Sequence, residues 1–313
     1  APSQARAPCP CATATVPQGE GAQQLAPATS CGEWELDFYS RPVQGADGKK
    51  LWELLITDGS GSFQYVEAVP SNCVNSRELR TRVQRLIDSS AVKPRSIRFF
   101  RTQMKNMISI ALGELPGVSC KPSRVTYRLY EWLEEREREV YPSLPGYRKP
   151  RPESPPVKLP VKLPEQLRGE QYAFVTLPYA EFAQGGSITE ENIGFGSLCP
   201  LPKQPLAPDV MVPGIAIFSK RSPAIAAWLT GVDLAFVKAV LESREIMLEV
   251  GLDTQYLLAR MRTLGQTSEA QNYEQAKLRT RGLHFISVQS GPEADGPDGF
   301  WLLKDVEAAA RSS

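Results

Sequence analysis

The chain has 313 residues, 42% of them hydrophobic, and its 36 Lys and Arg nearly balance 35 Asp and Glu, for a formal net charge of +1. That length suits two average domains, and near-neutrality excludes a global field that would drive the chain onto nucleic acid or membrane, so a charged partner must be met by a local patch. No apolar run approaches the ~20 residues needed to span a bilayer, and one histidine with six cysteines, none in a Cys-x-x-Cys pair, argues against a zinc site or a disulfide framework.

Residues 1–32 are rich in Ala, Pro, Gln, Thr and Gly and read as a disordered tail. Their scarcity of acid fits the segment left after cleavage of an organelle transit peptide, with an ordinary unstructured tail as the alternative. Strands are expected over 34–40 and 51–57, joined by the turn Gly45-Ala46-Asp47-Gly48. Trp34, Leu36 and Phe38 then share one face, and Glu35 and Asp37 the other. A third strand over 63–69 precedes a helix over 76–89, where Asn75 and Glu78 stand three apart like a capping box and Leu79, Val83, Leu86 and Ile87 form one apolar face. A strand over 96–101 and helices over 103–113 and 123–140 complete the first domain, 33–141.

Prolines at 142, 145, 150, 152, 155, 156, 160 and 164 mark 142–169 as a semi-rigid linker, with a ligand for a proline-recognising module as the alternative. The second domain, 170–304, reads as strand 172–177, a loop at 194–201, strand 215–219, helix 224–242, strands 246–250 and 255–261, helix 269–279, and strands 283–288 and 299–303. Residues 305–313 are a tail. The fold class is therefore α/β, two mixed α/β domains joined by the Pro-rich linker. The order strand–strand–helix–strand occurs once in each domain, from Trp52 and again from Ile246, which suggests either a duplicated unit or coincidence.

The basic residues Arg77, Arg82, Arg85, Arg95, Arg98, Arg101 and Lys105 form the strongest chemical signal. On a helical wheel Arg77, Arg82 and Arg85 lie opposite the apolar face and are expected to reach solvent together. Guanidinium groups clamp phosphates bidentately and stack on bases. A solvated arginine-rich helix is the alternative, and Phe99 and Phe100 beside Arg98 read as core before platform. A second group is acidic: Glu35, Asp37, Glu53, Asp58 and Glu67 on consecutive strands. Metal-dependent nucleases arrange an Asp and a Glu-x-Lys around magnesium, but Val69 stands where the lysine would be, and solvated edge-strand carboxylates are the alternative. His284, in the alternating run Leu283-His284-Phe285-Ile286, reads as structural. Gly194-Phe195-Gly196 lacks the glycines and lysine of a phosphate-cradling loop and reads as a tight loop between strands. No catalytic residue, metal site or cofactor is expected.

The opening run from Trp34 to Pro42, with Leu51–Asp58, Gly194–Leu201, Pro213–Arg221, Gly282–Gln289 and Gly299–Leu303, resembles the landmarks of one family in that family's order. It is the nucleus-encoded translation factor for the photosystem I reaction-centre subunit PsaB, found in cyanobacteria, algae and plants. The resemblance covers about residues 33–303. It implies a non-catalytic RNA-binding factor of the chloroplast stroma, peripheral to the thylakoid and without membrane insertion. It would act on the 5′ untranslated leader of a reaction-centre mRNA, with other proteins of a translation complex, and support photosystem I assembly. In some members photosystem II is served as well. A protein-interaction scaffold, with Gly194, Phe195 and Gly196 as its partner surface and RNA held by another subunit, stays open, as does a nuclease-like fold with lost or residual activity.

Overall fold

The computed structural model describes residues 32–45, 47–149 and 160–312. The tail over 1–31 and the middle of the Pro-rich segment, 150–159, lie outside the described residues. The chain packs as two compact units. The first holds the residues up to Ile97 with Gln103–Cys120 and the stretch from Glu135; the second holds Arg98–Thr102, Lys121–Glu134 and the C-terminal half.

In the first unit, β1 (Glu33–Gln44), β2 (Lys50–Asp58) and β3 (Gln64–Val69) run as an antiparallel meander. The β1–β2 reversal closes because the Gly45 amide donates to the Lys49 carbonyl at 2.9 Å, the Asp47 carboxylate accepts the Lys49 amide at 3.1 Å, and Gly48 takes a φ of +75°. α1 (Ser76–Ser89) begins where the Asn75 side chain accepts the Glu78 amide at 3.0 Å, and Leu79, Val83, Leu86 and Ile87 are buried on one face. β4 (Ser96–Phe99), α2 (Lys105–Gly113) and β5 (Ser119–Pro122) come next, and the sheet order is β3-β2-β1-β4-β5. α3 (Tyr127–Glu135), which belongs to the second unit as far as Glu134, runs on into a π-helical turn, Arg136–Val140, of the first. β1 and β2 are interior strands, so Glu35, Asp37 and Glu53 are buried instead of solvated at an edge; of the five carboxylates only Glu67 stands on an edge strand.

The second unit has two sheets. One orders β7 (Gln171–Pro178), β9 (Met211–Phe218), β13 (Leu283–Gln289), β14 (Gly299–Lys304) and β8 (Phe195–Leu198). The other orders β10 (Leu234–Val240), β11 (Glu245–Val250), β12 (Thr254–Arg260) and the two-residue β6 (Val161–Lys162). α4 (Ser222–Gly231), α5 (Leu264–Arg279) and α6 (Val306–Ser312) complete it. α5 starts with a complete capping box between Thr263 and Gln266. Ile215, Ile217, Leu229, Val237, Leu248, Ile286 and Trp301 form one buried cluster, and Phe285 stacked on Phe300 at 5.1 Å centres a second.

The structure differs from the sequence expectations in several places, among them α6 within 305–313 and β6, paired parallel with β12, within 142–169. The helix over 224–242 stops at Gly231, and Leu234–Val240 pairs antiparallel with β11, placing Val237 opposite Leu248 and Ala239 opposite Ile246. A short apolar run does not distinguish a buried helix from a buried strand by periodicity, and here Gly231 and β-branched Val232 break the helix before the run begins. The loop over 194–201 contains β8, parallel to β14. β5, four residues without a strong pattern, is absent from the expected elements. The order hairpin–helix–strand does recur, as β2-β3-α1-β4 and β11-β12-α5-β13, but β4 shares a sheet with its hairpin whereas β13 lies in the other sheet from β11 and β12.

Candidate nucleic-acid interface

α1 carries its basic residues in two environments. Arg77 and Arg85 are exposed at the ends of an i, i+4, i+8 ridge through exposed Thr81, and neither makes an ion pair among the described residues. At 1.5 Å per residue their Cα atoms stand about 12 Å apart along the helix axis. Arg82 does not reach solvent with them, contrary to the helical wheel. It is 9% exposed and lies between Glu67 of β3 at 3.4 Å and Glu78 at 3.5 Å. Its position one residue round from the ridge turns it towards the sheet edge, where Tyr65 donates to Glu67 at 2.6 Å. Burial and this hydrogen bond raise the Tyr65 pKa, so the phenol stays protonated and holds the carboxylate for Arg82. Arg80 is paired with Glu114. The ridge edges an open depression lined by Arg80, Thr81, Gln84, Arg85, Asp88 and Ser89.

The remaining predicted basic residues are divided between the units. Arg95 is exposed in the first unit, its backbone amide donating to the Gly32 carbonyl at 2.6 Å, and Lys105 is the half-buried first residue of α2. Arg98 and Arg101 belong to the second unit. There Arg98 donates to Asp233 at 2.5 Å and to Ser123 at 3.0 Å. The Arg101 guanidinium sits 4.6 Å from the Phe100 ring centre, and Phe100 packs on Tyr130 at 4.3 Å. Phe99 is fully buried, as expected, but Phe100 is only half-buried in this cation–aromatic stack. Sequence reasoning missed Tyr65 and Tyr130 as partners of these groups; a 30-residue separation from Phe100 leaves no local signal for Tyr130.

The acidic group is committed to internal partners. Asp58 accepts from Ser60 at 2.6 Å, Ser62 at 2.9 Å and the Phe63 amide at 3.1 Å, closing the β2–β3 turn. Glu53 accepts from Arg41 at 3.0 Å, Arg136 at 2.8 Å and Tyr141 at 2.7 Å, while Arg41 also donates to Asp37 at 2.8 Å. Burial works against the Arg41 charge, but Asp37, Tyr141 and Glu53 outweigh it and raise its pKa. Among the described residues no group of three His, Cys, Asp or Glu is placed to hold a metal ion. In the second unit His284 accepts the Val237 amide on Nε2 at 3.0 Å and faces the Gly282 carbonyl through Nδ1 at 2.8 Å. Both ring nitrogens are thus used, the Nδ1–H tautomer is set, and burial lowers the pKa to about 3. Burial pushes the Cys199 thiol up to about 12 and raises that of Cys120, which disfavours a reactive thiolate at either.

Gly194 and Gly196 take φ values of +67° and +138° where β8 lies against β14, and a Cβ on Gly196 would run into the Phe300 carbonyl. Between them Phe195 is 45% exposed on an edge strand. No helix among the described residues is long and apolar enough to cross a membrane.

Comparison with known proteins agrees over both halves. Residues 33–136 match the family described as RNA-binding protein Tab2/Atab2 N terminal, and residues 151–304 match the RNA-binding protein Tab2/Atab2 C-terminal domain. The chain is 38% identical over 283 residues to the chloroplastic protein TAB2 homolog of Zea mays, covering 88% of this chain and 72% of that protein. It is 37% identical over 287 residues to the chloroplastic TAB2 homolog of Arabidopsis thaliana, covering 89% and 76%.

Proposed function

The chain belongs to the Tab2/Atab2 family of RNA-binding proteins, and from that premise we propose that it activates translation of a photosystem I reaction-centre mRNA by binding its 5′ leader in the chloroplast stroma. It acts without catalysis and thereby supports photosystem assembly. The chloroplastic relatives support the compartment. The observation that carries the RNA contact is the pair Arg77 and Arg85, exposed and, among the described residues, without ion pairs, on one ridge of a helix fixed by Arg82 from beneath. Such groups bind phosphates without first breaking an internal salt bridge. Arg95, and the Arg101–Phe100–Tyr130 stack of the second unit, supply further phosphate and base contacts. Proteins of a translation complex dock on the β8 edge, where Phe195 is exposed beside two glycines.

A salt-titrated binding assay on the leader and on a scrambled RNA of equal length tests this. The wild-type protein is expected to prefer the leader and to lose affinity steeply with salt. Arg77→Glu/Arg85→Glu, which leaves buried Arg82 in place, is expected to reduce the magnitude of the log–log salt slope by about 1.4, two single-strand phosphate contacts at about 0.7 each. Weak binding indifferent to RNA sequence and to these arginines would assign RNA recognition to a partner and leave this chain as a scaffold.

A further inference from the structure

A second basic site lies in the C-terminal half, separate from the arginines of α1 and from the Arg101–Phe100–Tyr130 stack. A cavity of about 490 Å³ is lined by Arg168, Glu170, Tyr172, Arg260, Arg262 and Gln266. Its three arginines converge from distant parts of the chain: Arg168 precedes β7, Arg260 ends β12, and Arg262 lies just before α5. Arg260 is paired with Glu245 at 3.1 Å, and Arg168 is steadied by donating through Nε to the Leu163 carbonyl at 2.8 Å. Arg262 is exposed and makes no ion pair among the described residues. Gln266 accepts the Arg262 amide at 2.7 Å, so the capping box that starts α5 also fixes the backbone bearing Arg262.

Tyr172 adds an independent observation. Its hydroxyl is buried and has no hydrogen-bond partner among the described residues. The side chain as a whole is half-buried, and a buried hydroxyl without a partner is held at a cost unless a bound group completes it. Ile217 and Leu258 supply apolar wall beside these polar groups. Guanidinium groups with a hydroxyl donor suit a phosphate, apolar wall suits a sugar or base, and the volume falls in the range of small-ligand sites.

We infer that this cavity holds a phosphodiester of single-stranded RNA with its attached nucleoside, as a second contact point in the C-terminal half. The inference rests on the RNA-binding reading and deepens it. A free mononucleotide offers the same phosphate-and-base chemistry, and the test separates the two.

Arg168→Glu/Arg262→Glu and the milder Arg262→Ala are compared with wild type and with Arg77→Glu/Arg85→Glu, by anisotropy on a labelled single-stranded RNA across a salt series and by NMR titration with AMP. The expected result is that the cavity double variant loses affinity about tenfold with a salt slope lower by about 1.4, that Arg262→Ala loses a smaller part, and that AMP competes only weakly. Wild-type RNA affinity in both cavity variants, alongside a loss in the α1 variant, would overturn the inference and leave the function standing. Tight AMP binding that depends on Arg168 and Arg262, with RNA affinity unchanged, would also overturn it, the ligand then being a free nucleotide. Absence of RNA binding by the wild-type protein itself would remove the RNA reading and this inference together.

Discussion

Buried ionisable side chains in both units are matched group to group, and this decides how the protein responds to pH. In the second unit Lys277 donates to the Val237 carbonyl at 2.8 Å and pairs with Asp305 at 2.7 Å, while His284 beside them stays neutral. Burial first, and then the Lys277 charge, lower the His284 pKa from 6.5 to about 3. Below pH 6.5 the unfolded chain takes up a proton that the folded chain refuses. This contribution to stability is therefore complete above about 6.5 and declines as pH falls towards 3, by about 1.4 kcal/mol per pH unit. Between pH 6.5 and 5 the expected loss is about 2 kcal/mol. Asp305, whose pKa is also lowered, acts in the same direction but only at more acidic pH. Urea unfolding at pH 7 and pH 5 checks this, because His284→Gln should be less stable at both values yet lose little between them.

Among the elements, α1 shows how a single helix divides its arginines between structure and contact. Arg82 braces the helix on β3 through Glu67, and Arg77 and Arg85 face outwards. Arg82→Ala should therefore cost about 1–3 kcal/mol of stability by leaving Glu67 half-buried without its cation, while the folded fraction keeps wild-type RNA affinity. Thermal unfolding paired with binding on the folded protein separates the two effects. An RNA affinity that fell with Arg82 as far as with Arg77 and Arg85 would contradict this division. Most of α1 was legible in the sequence, since its cap and apolar spacing operate within four residues. The burial of Arg82 was not, because it depends on a carboxylate held by a neighbouring strand.

For the molecule as a whole, the consequential feature is the membership of the second unit. Arg98 reaches Asp233, Arg124 reaches Glu249 at 3.0 Å, the Tyr127 hydroxyl reaches the Ala235 carbonyl at 3.4 Å, and Lys304 reaches Glu131 at 2.7 Å. Tyr127 also belongs to the cluster around Phe285 and Phe300. A fragment of residues 160–312 lacks all of these N-terminal partners and takes Arg124 away from buried Glu249 and Glu131 away from buried Lys304. It is expected to unfold at lower urea than the second-half signals of 32–312, and to show faster limited proteolysis. Equal resistance in both would mean that the segment 121–134 adds nothing to that unit's stability.

The pattern of the sequence determined those elements whose evidence is local: the β1–β2 reversal at Gly45–Gly48, the capping of α1, the hairpin β11–β12, the strand that holds His284, and the family to which the run of landmarks points. Alternation, capping and turn chemistry act over a few residues, so they can be read from the chain alone. Tertiary structure decided that Leu234–Val240 is a strand, that Arg82 is buried, that Glu53 faces two arginines and a tyrosine, and that Arg168, Arg260 and Arg262 share one cavity. Each of these depends on packing against another element, and which elements meet is set by which surfaces the sheets bury together.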